Sequence, residues 1–459
     1  VTKLSEAIQN LQTTAAEQVE VGKDQVETGQ VESQGLSEVF GCFDDNLVAE
    51  ENFKALGDDT PGELGVVNHQ DTSRLVAHFV PPDNVDFEFS LKYQTCQGSD
   101  FKINSHSFME KSKPKVLVGL SGGVDSAVSA ALLLEQGYEV IGAFMKNWSD
   151  CAWREDRRDA MRVAAKLDIP FYTFDFEKEY RAKVIDYMFR EFEAGRTPNP
   201  DVMCNKFIKF DLFVREADKL GCDYIATGHY ARVLRGVKGG KGVKIFAGLD
   251  PNKDQTYFLW AIPPEILPRV LFPVGDKIKV TEVRKKAEEL GLSVAKKKDS
   301  VGICFVGEVN IKDFLQERIP KKPGDIVTAS GKKVGVHEGL PFYTIGQREG
   351  LNFGGGTPYY VVGKNTKTNE LIVSSNFDQA LFKKEISVIQ CNWFKKPSVF
   401  PHKCQARVRY RQPLADCEIV SVSGNGADVV FVKPQRAVTP GQSIVFYEGD
   451  EMIGGGIIN

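Results

Sequence analysis

The chain is 459 residues long, 42% apolar and 26% charged, which is ordinary for about three globular domains, and no apolar run approaches the roughly 20 residues of a membrane span. Its net charge of −4 hides an asymmetry: residues 1–110 hold six basic and twenty acidic side chains, a net of −14, and the remainder carries +10. A basic body suits a polyanionic partner, while nine cysteines, odd in number and at no zinc-ligand spacing, exclude a disulfide framework and argue for individual thiols in a reducing compartment.

The first residue is Val, and the first thirty residues are rich in Gln and Glu with two lysines and no arginine, a composition that opposes an attached transit or signal peptide. Residues 1–35 read as a polar helical or disordered segment with weak apolar spacing at Leu4, Ile8 and Leu11. The alternating stretch from Val85 to Tyr93 reads as a strand. Residues 1–113 are expected to form an acidic extension, either a small added domain or an arm for a protein partner.

From Lys115 the chain alternates apolar strands with helices, the strands expected at 116–120, 139–145, 170–174 and 224–227. This is the pattern of an α/β fold with a doubly wound parallel sheet, in which ligands sit at the carboxyl ends of strands. The first strand runs into Gly119, Leu120, Ser121, Gly122, Gly123, Val124, Asp125 and Ser126, and then into an Ala/Leu-rich helix. Gly122 and Gly123 let successive N–H groups point inward, and the helix start adds partial positive charge, so the turn is built to hold phosphate. It lacks the ending of a Walker loop and the spacing of a dinucleotide fingerprint. Ser121-Gly-Gly-Val-Asp-Ser126 resembles instead the PP-loop of the N-type ATP pyrophosphatases.

Beyond about residue 312 short strands with Gly/Pro turns appear at 324–328, 359–363 and 371–374, then longer alternating runs at 403–410, 417–422, 428–432 and 443–447. The expected organisation is an acidic extension over 1–113, a PP-loop domain over 114–312, a small β-rich central domain over 313–382 and an antiparallel β-barrel, a fold that often binds RNA, over 383–459. Alternation places Arg407, Arg409 and Arg411 on one strand face, loosely matched to phosphate spacing.

Two cysteines stand apart by their surroundings. Cys204 follows Gly195-Arg-Thr-Pro-Asn199-Pro-Asp201 and precedes Lys206 and Lys209, so a nearby helix start and lysines would favour its thiolate, with Asp201 close enough to move a proton. Cys304 follows Lys296-Lys-Lys-Asp299 in a short apolar run flanked by glycines.

These motifs, with Phe144-Met-Lys-Asn-Trp148, Tyr224-Ile-Ala-Thr-Gly-His-Tyr230, Asp250-Pro-Asn-Lys-Asp-Gln255, Phe272-Pro-Val-Gly275, Thr344-Ile-Gly-Gln-Arg348, Arg407-Val-Arg-Tyr-Arg411 and Thr439-Pro-Gly-Gln442, occur in order. From about Lys115 to the end the chain resembles the tRNA-uridine 2-sulfurtransferases, the 2-thiouridylases of MnmA/TrmU type. The resemblance implies ATP-dependent thiolation of the wobble uridine. ATP phosphates would lie on Gly119 to Ser126, with Mg²⁺ bridging them, adenine near Met145 and Gly228 close to the nucleotide; no structural metal is expected. Cys304 would carry a persulfide from a donor protein, and Cys204 would attack it. Asp201 would serve as general acid or base, Asn199 and Pro200 would contact the flipped base, and His229, Lys253, Asp254, Gln255, Arg409, Tyr410 and Gln442 would contact tRNA. The alternatives are another PP-loop enzyme, such as an amidating synthetase or a different RNA sulfurtransferase, and a catalytically idle homologue serving as an RNA-binding or scaffold subunit. A soluble protein of the cytoplasm or of a mitochondrial matrix or chloroplast stroma is expected.

Overall fold

A computed structural model of the protein describes residues 113–149, 153–236, 242–299, 310–351, 358–375 and 379–459, together with four strand backbones nearer the start. The chain divides into two compact units, Val1–Ser112 and Lys113–Asn459. In the first, β1 (Gly62–Val67), β2 (Arg74–Phe79), β3 (Phe89–Gln94) and β4 (Asp100–Asn104) form an antiparallel meander in chain order. The strand expected at 85–93 corresponds to β3, and the helical reading of residues 1–35 lies outside the described residues.

The second unit begins with β5 (Lys115–Gly119), α1 (Val124–Glu135), β6 (Glu139–Lys146), α2 (Trp153–Lys166), β7 (Phe171–Asp175) and β8 (Tyr224–Ala226). A hairpin of β9 (Ala231–Arg235) and β10 (Val243–Ala247) follows, then β11 (Val270–Leu271). β11, β8, β5, β6 and β7 lie in that order in one fully parallel sheet. Its centre is β5, buried because every second side chain enters a different apolar layer: Val116 and Val118 pack with α1 and α2, and Leu117 packs with Met145, Ile208 and Phe213. Each such aliphatic side chain contributes about 1.5–3 kcal/mol when fully buried. Parallel pairing also puts all five carboxyl ends on one edge, which gathers the loops that follow them.

A smaller sheet follows, built from β12 (Gly324–Thr328), β13 (Lys333–His337), β14 (Tyr359–Asn365) and β15 (Glu370–Ser375) in the order β13-β12-β15-β14, its inner pair parallel. The last strands are β16 (Phe382–Trp393), β17 (His402–Arg407), β18 (Ala415–Ser423), β19 (Gly426–Arg436), β20 (Ser443–Glu448) and β21 (Glu451–Ile458). They pair antiparallel in the order 16-19-18-17-20-21, and β21 returns to β16, closing a six-stranded barrel around Ile419, Val429, Phe431, Ile444 and Phe446. The hairpin β9–β10 extends this sheet, with Phe246 opposite Glu451, so the parallel-sheet region and the barrel are joined by backbone pairing. No sequence expectation covered this hairpin, and residues 237–241, between its two strands in the chain, lie outside the described residues.

Candidate active site

At the carboxyl end of β5, Leu120 is buried and Ser121-Gly122-Gly123 turns the chain into α1. Gly122 has φ of 77°, and a Cβ there would stand 2.3 Å from the Asp156 carbonyl oxygen, so glycine is required both for conformation and for space. Gly123 is the N-cap in extended conformation and no side chain caps the helix, leaving its positive end to an anion. Ser126 Oγ accepts from Ser121 N–H and donates to the Gly123 carbonyl, both at 3.1 Å, which holds the turn in shape. Ser121 is exposed, whereas Val124 is buried.

Asp125 accepts from the Tyr230 hydroxyl at 2.8 Å and from Lys279 Nζ at 2.7 Å. Burial, then the Asp125 charge, raises the Tyr230 phenol far above its usual range and keeps it a donor. Lys279 also reaches Asp299 at 2.7 Å, and its side chain is 6% exposed. Asp299 receives Arg284 at 2.8 Å and Lys253 as well. Burial opposes ionisation of Asp299, but Lys253 and Lys279 hold its carboxyl down to about 2. Lys253, expected at tRNA, is thus part of an ion-pair network joining the first turn of α1 to the residue where the Cys304 segment begins. Cys304 itself lies outside the described residues.

The helical run 200–219 starts where the sequence places Pro200 at the first helical position, with Asn199 accepting from Val202 N–H at 3.4 Å as a weak cap. Asp201 stands in the first turn, half-buried, and Cys204 follows one turn later on the same face. Cys204 has no exposed surface and belongs to the apolar cluster that contains Met145. Its neighbour Asn205 donates to the Phe258 carbonyl at 2.9 Å. Burial raises the thiols of Cys222 to about 11 and Cys391 to about 12, which leaves them inert at neutral pH.

The other strand ends complete the edge. Met145 is buried near the end of β6, and Lys146 pairs with Asp175 at 2.7 Å and Glu177 at 3.1 Å. Asn147, which no sequence expectation singled out, is 1% exposed, and neither of its amide atoms has a hydrogen-bond partner. After β8, Gly228 packs so closely on α1 that a Cβ would meet Ser126 N at 2.7 Å. His229 is buried, its Nδ1 2.7 Å from the Thr227 hydroxyl and its Nε2 3.4 Å from Lys209 Nζ. Burial, then Lys209, lowers its pKa well below the usual imidazole value, so the ring is neutral.

The arginine expectation needs correction. β17 ends at Arg407, which turns inward to Asp254 at 3.2 Å and stacks over Tyr447. Arg409 lies beyond the strand and donates to the carbonyls of Ile345 at 2.9 Å and Ala437 at 3.0 Å, while Arg411 has φ of 62° and is exposed. The alternation fails because the chain leaves the strand before the second arginine. Other residues expected at tRNA also have internal partners: Asp254 accepts from Thr256 N–H and Oγ1, Gln255 accepts from Tyr230 N–H, and Tyr410 packs on Phe258 with centroids 4.5 Å apart. Gln442 donates to the carbonyls of Thr197 and Pro198, each at 3.0 Å.

Among the described residues no group of three or more His, Cys, Asp or Glu side chains could hold a metal, and no helix is long and apolar enough to cross a membrane. The described residues therefore present an uncapped glycine turn suited to phosphate after β5, an unsatisfied amide just after β6 and, on the helical run 200–219, a buried thiol one turn after an acid.

Three family profiles match successive parts of the chain. Their descriptions are a tRNA methyl transferase HUP domain over residues 114–308, a tRNA methyl transferase PRC-barrel domain over 312–375 and an aminomethyltransferase beta-barrel domain over 383–458. A curated relative from Lysinibacillus sphaericus (strain C3-41), named tRNA-specific 2-thiouridylase MnmA, is 49% identical over 361 residues, 76% of this chain and 95% of that protein. A second of the same name, from Halalkalibacterium halodurans, is 49% identical over 363 residues, 76% of this chain and 97% of that protein. A solved 4-thiouridine synthetase–RNA complex with bound ATP aligns at TM-score 0.29 and 18% identity, over 60% of each chain, too loosely to carry an argument.

Proposed function

The chain belongs to the tRNA-specific 2-thiouridylase family, and from that premise we propose that it thiolates C2 of the wobble uridine of tRNA at the expense of ATP. The observation that supports this reading is the pairing, in one compact unit, of an uncapped glycine turn at the end of β5 with a buried thiol, Cys204, one turn after Asp201 on a helical run. Methyl transfer, the label attached to two of the family profiles, calls for neither a phosphate turn nor a thiol, and the site favours sulfur transfer.

In this account the uracil O2 attacks the α-phosphorus of ATP; the new O–P bond forms as the bond to pyrophosphate breaks, and the glycine turn and the α1 N-terminus take the developing phosphate charge. Magnesium would enter with the phosphates, where it supplies charge neutralisation. Cys304, loaded by a persulfide-bearing donor protein, presents its outer sulfur. Cys204 as thiolate attacks the Cys304 sulfur, forming a Cys204–Cys304 disulfide and releasing hydrosulfide, which adds at C2; AMP leaves with the former O2. Asp201 accepts or returns the proton, and a thiol reductant supplies two electrons to reopen the disulfide. Asn199 and Pro200 border the base, and the basic body of the chain draws in the tRNA.

Two outcomes check the account. With tRNA present, α-labelled ATP is expected to yield AMP, and pyrophosphate in equal amount; ADP with inorganic phosphate would contradict cleavage between the α- and β-phosphates. Asn147 serves here to meet a polar edge of the bound nucleotide. Asn147→Leu removes a buried unsatisfied amide that costs about 1–3 kcal/mol, so urea unfolding should find the variant more stable, while equilibrium dialysis should find ATP bound at least ~10-fold more weakly.

A further inference from the structure

The segment that enters the Cys204 helix is gripped from two distant parts of the sequence. From the central sheet region, Lys364 Nζ donates to the Gly195 carbonyl at 3.0 Å, and the Thr344 hydroxyl stands 3.3 Å from that of Thr197. From the barrel, the Pro440 carbonyl accepts the Thr197 N–H at 2.9 Å, and the single amide nitrogen of Gln442 donates to two consecutive carbonyls, Thr197 and Pro198. Arg196 between them forks onto Glu191 at 2.5 and 2.6 Å. Every residue from Gly195 to Pro198 is therefore tied by backbone or side chain, and the next three are Asn199, Pro200 and Asp201.

The same junction encloses a cavity of about 180 Å³ lined by Gly195, Ile345, Lys364, Lys383, Val438 and Pro440, among others. Among the described residues no carboxylate lines it. Burial accordingly pushes the Lys364 ammonium down to about 8, as fits a lysine that serves a carbonyl rather than an ion pair.

We infer that residues 195–198 act as a strap through which the central sheet and the barrel set the position of Asn199, Pro200 and Asp201, making Lys364 and Gln442 positioning residues for sulfur transfer. The resemblance put Gln442 at tRNA; in the fold its amide nitrogen is committed to two carbonyls of the protein itself. The strap gives a physical reason for two domains without catalytic groups of their own to affect the chemical step: the turn that addresses the base owes its position to contacts they supply. The inference rests on the proposed function for its substrate, though not for its geometry.

The test uses the full chain with Lys364→Met, Lys364→Arg and Gln442→Ala. Lys364→Met should lower single-turnover thiolation by roughly 10- to 100-fold, the scale of a misplaced reacting group, with tRNA affinity by filter binding changed no more than about twofold. Lys364→Arg keeps a donor and should recover most of the rate; Gln442→Ala should repeat the Met result from the barrel side. Hydrogen exchange at residues 197–202 should quicken at least ~10-fold in Lys364→Met, with Val124–Glu135 unchanged. A loss confined to tRNA affinity would overturn the proposal by making these residues RNA contacts, and unchanged rate and exchange would overturn it by removing the strap. If the wild-type protein makes no thiouridine, the functional reading fails while the exchange measurement still decides the strap; if Lys364→Met does not fold, Gln442→Ala decides both.

Discussion

Cys204→Ser is expected to stop thiolation, cutting 2-thiouridine formation by roughly 10³-fold or more, because a serine hydroxyl cannot displace sulfur from a persulfide and no second group replaces it. The fold should tolerate the change: the side chain is fully enclosed, and serine is close to it in shape, so the main cost is that of enclosing a more polar group. The lesion should also be selective in the reaction sequence. In the proposed sequence adenylation precedes the thiol step, so the variant should still form AMP-linked tRNA when given ATP. A variant that thiolates at the wild-type rate would transfer the bet to a PP-loop enzyme that needs no resolving thiol.

The second large effect is structural and falls on Lys279→Met. This ammonium is buried between Asp125 and Asp299 at 2.7 Å from each, so removing it strands Asp125 with the Tyr230 hydroxyl and weakens the tie between α1 and the start of the Cys304 segment. Deleting one partner of a fully buried pair typically costs about 3–5 kcal/mol; Asp125 and Asp299 are 27% and 34% exposed and Asp299 keeps Lys253 and Arg284, so the loss should fall at or below the lower end of that range. The loss should depend on pH. Asp299 has its pKa depressed to about 2 from an ordinary 3.8, so the stability it contributes is full above about pH 4 and drains as pH falls through 2. Urea unfolding should therefore separate wild type and variant widely at pH 7 and bring them together near pH 2; an equal gap at both would show that Asp299 is not the group the lysine serves.

Much of this molecule could be read from local pattern. β5 is a β-branched run followed by a glycine turn and an Ala/Leu helix, and such signals survive folding because the alternation that writes them is the alternation that buries Val116, Leu117 and Val118. Four of the six barrel strands were legible for the same reason, whereas β16 and β21, whose pairing closes the barrel, were not expected. What sequence could not supply was partnership over distance. Lys279 and Lys364 look like ordinary surface charges until folding brings Asp125 and Gly195 to them, across 154 and 169 positions. Asp299 stood inside a recognised motif, yet its three cations came from elsewhere. The arginine reading failed at a strand end, where alternation carries no information once the backbone turns, and Arg407 went to a carboxylate 153 positions away. Asn147 offered one signal in hindsight, a polar amide between the apolar Met145 and Trp148 at the end of a buried strand.

The most direct measurement of the central claim is nucleoside analysis of tRNA incubated with the full chain, ATP, magnesium and a persulfide source, beside Cys204→Ser. The account predicts 2-thiouridine that requires ATP and is lost in the variant. Bound tRNA with no thiolated nucleoside, or a methylated one in its place, would contradict it.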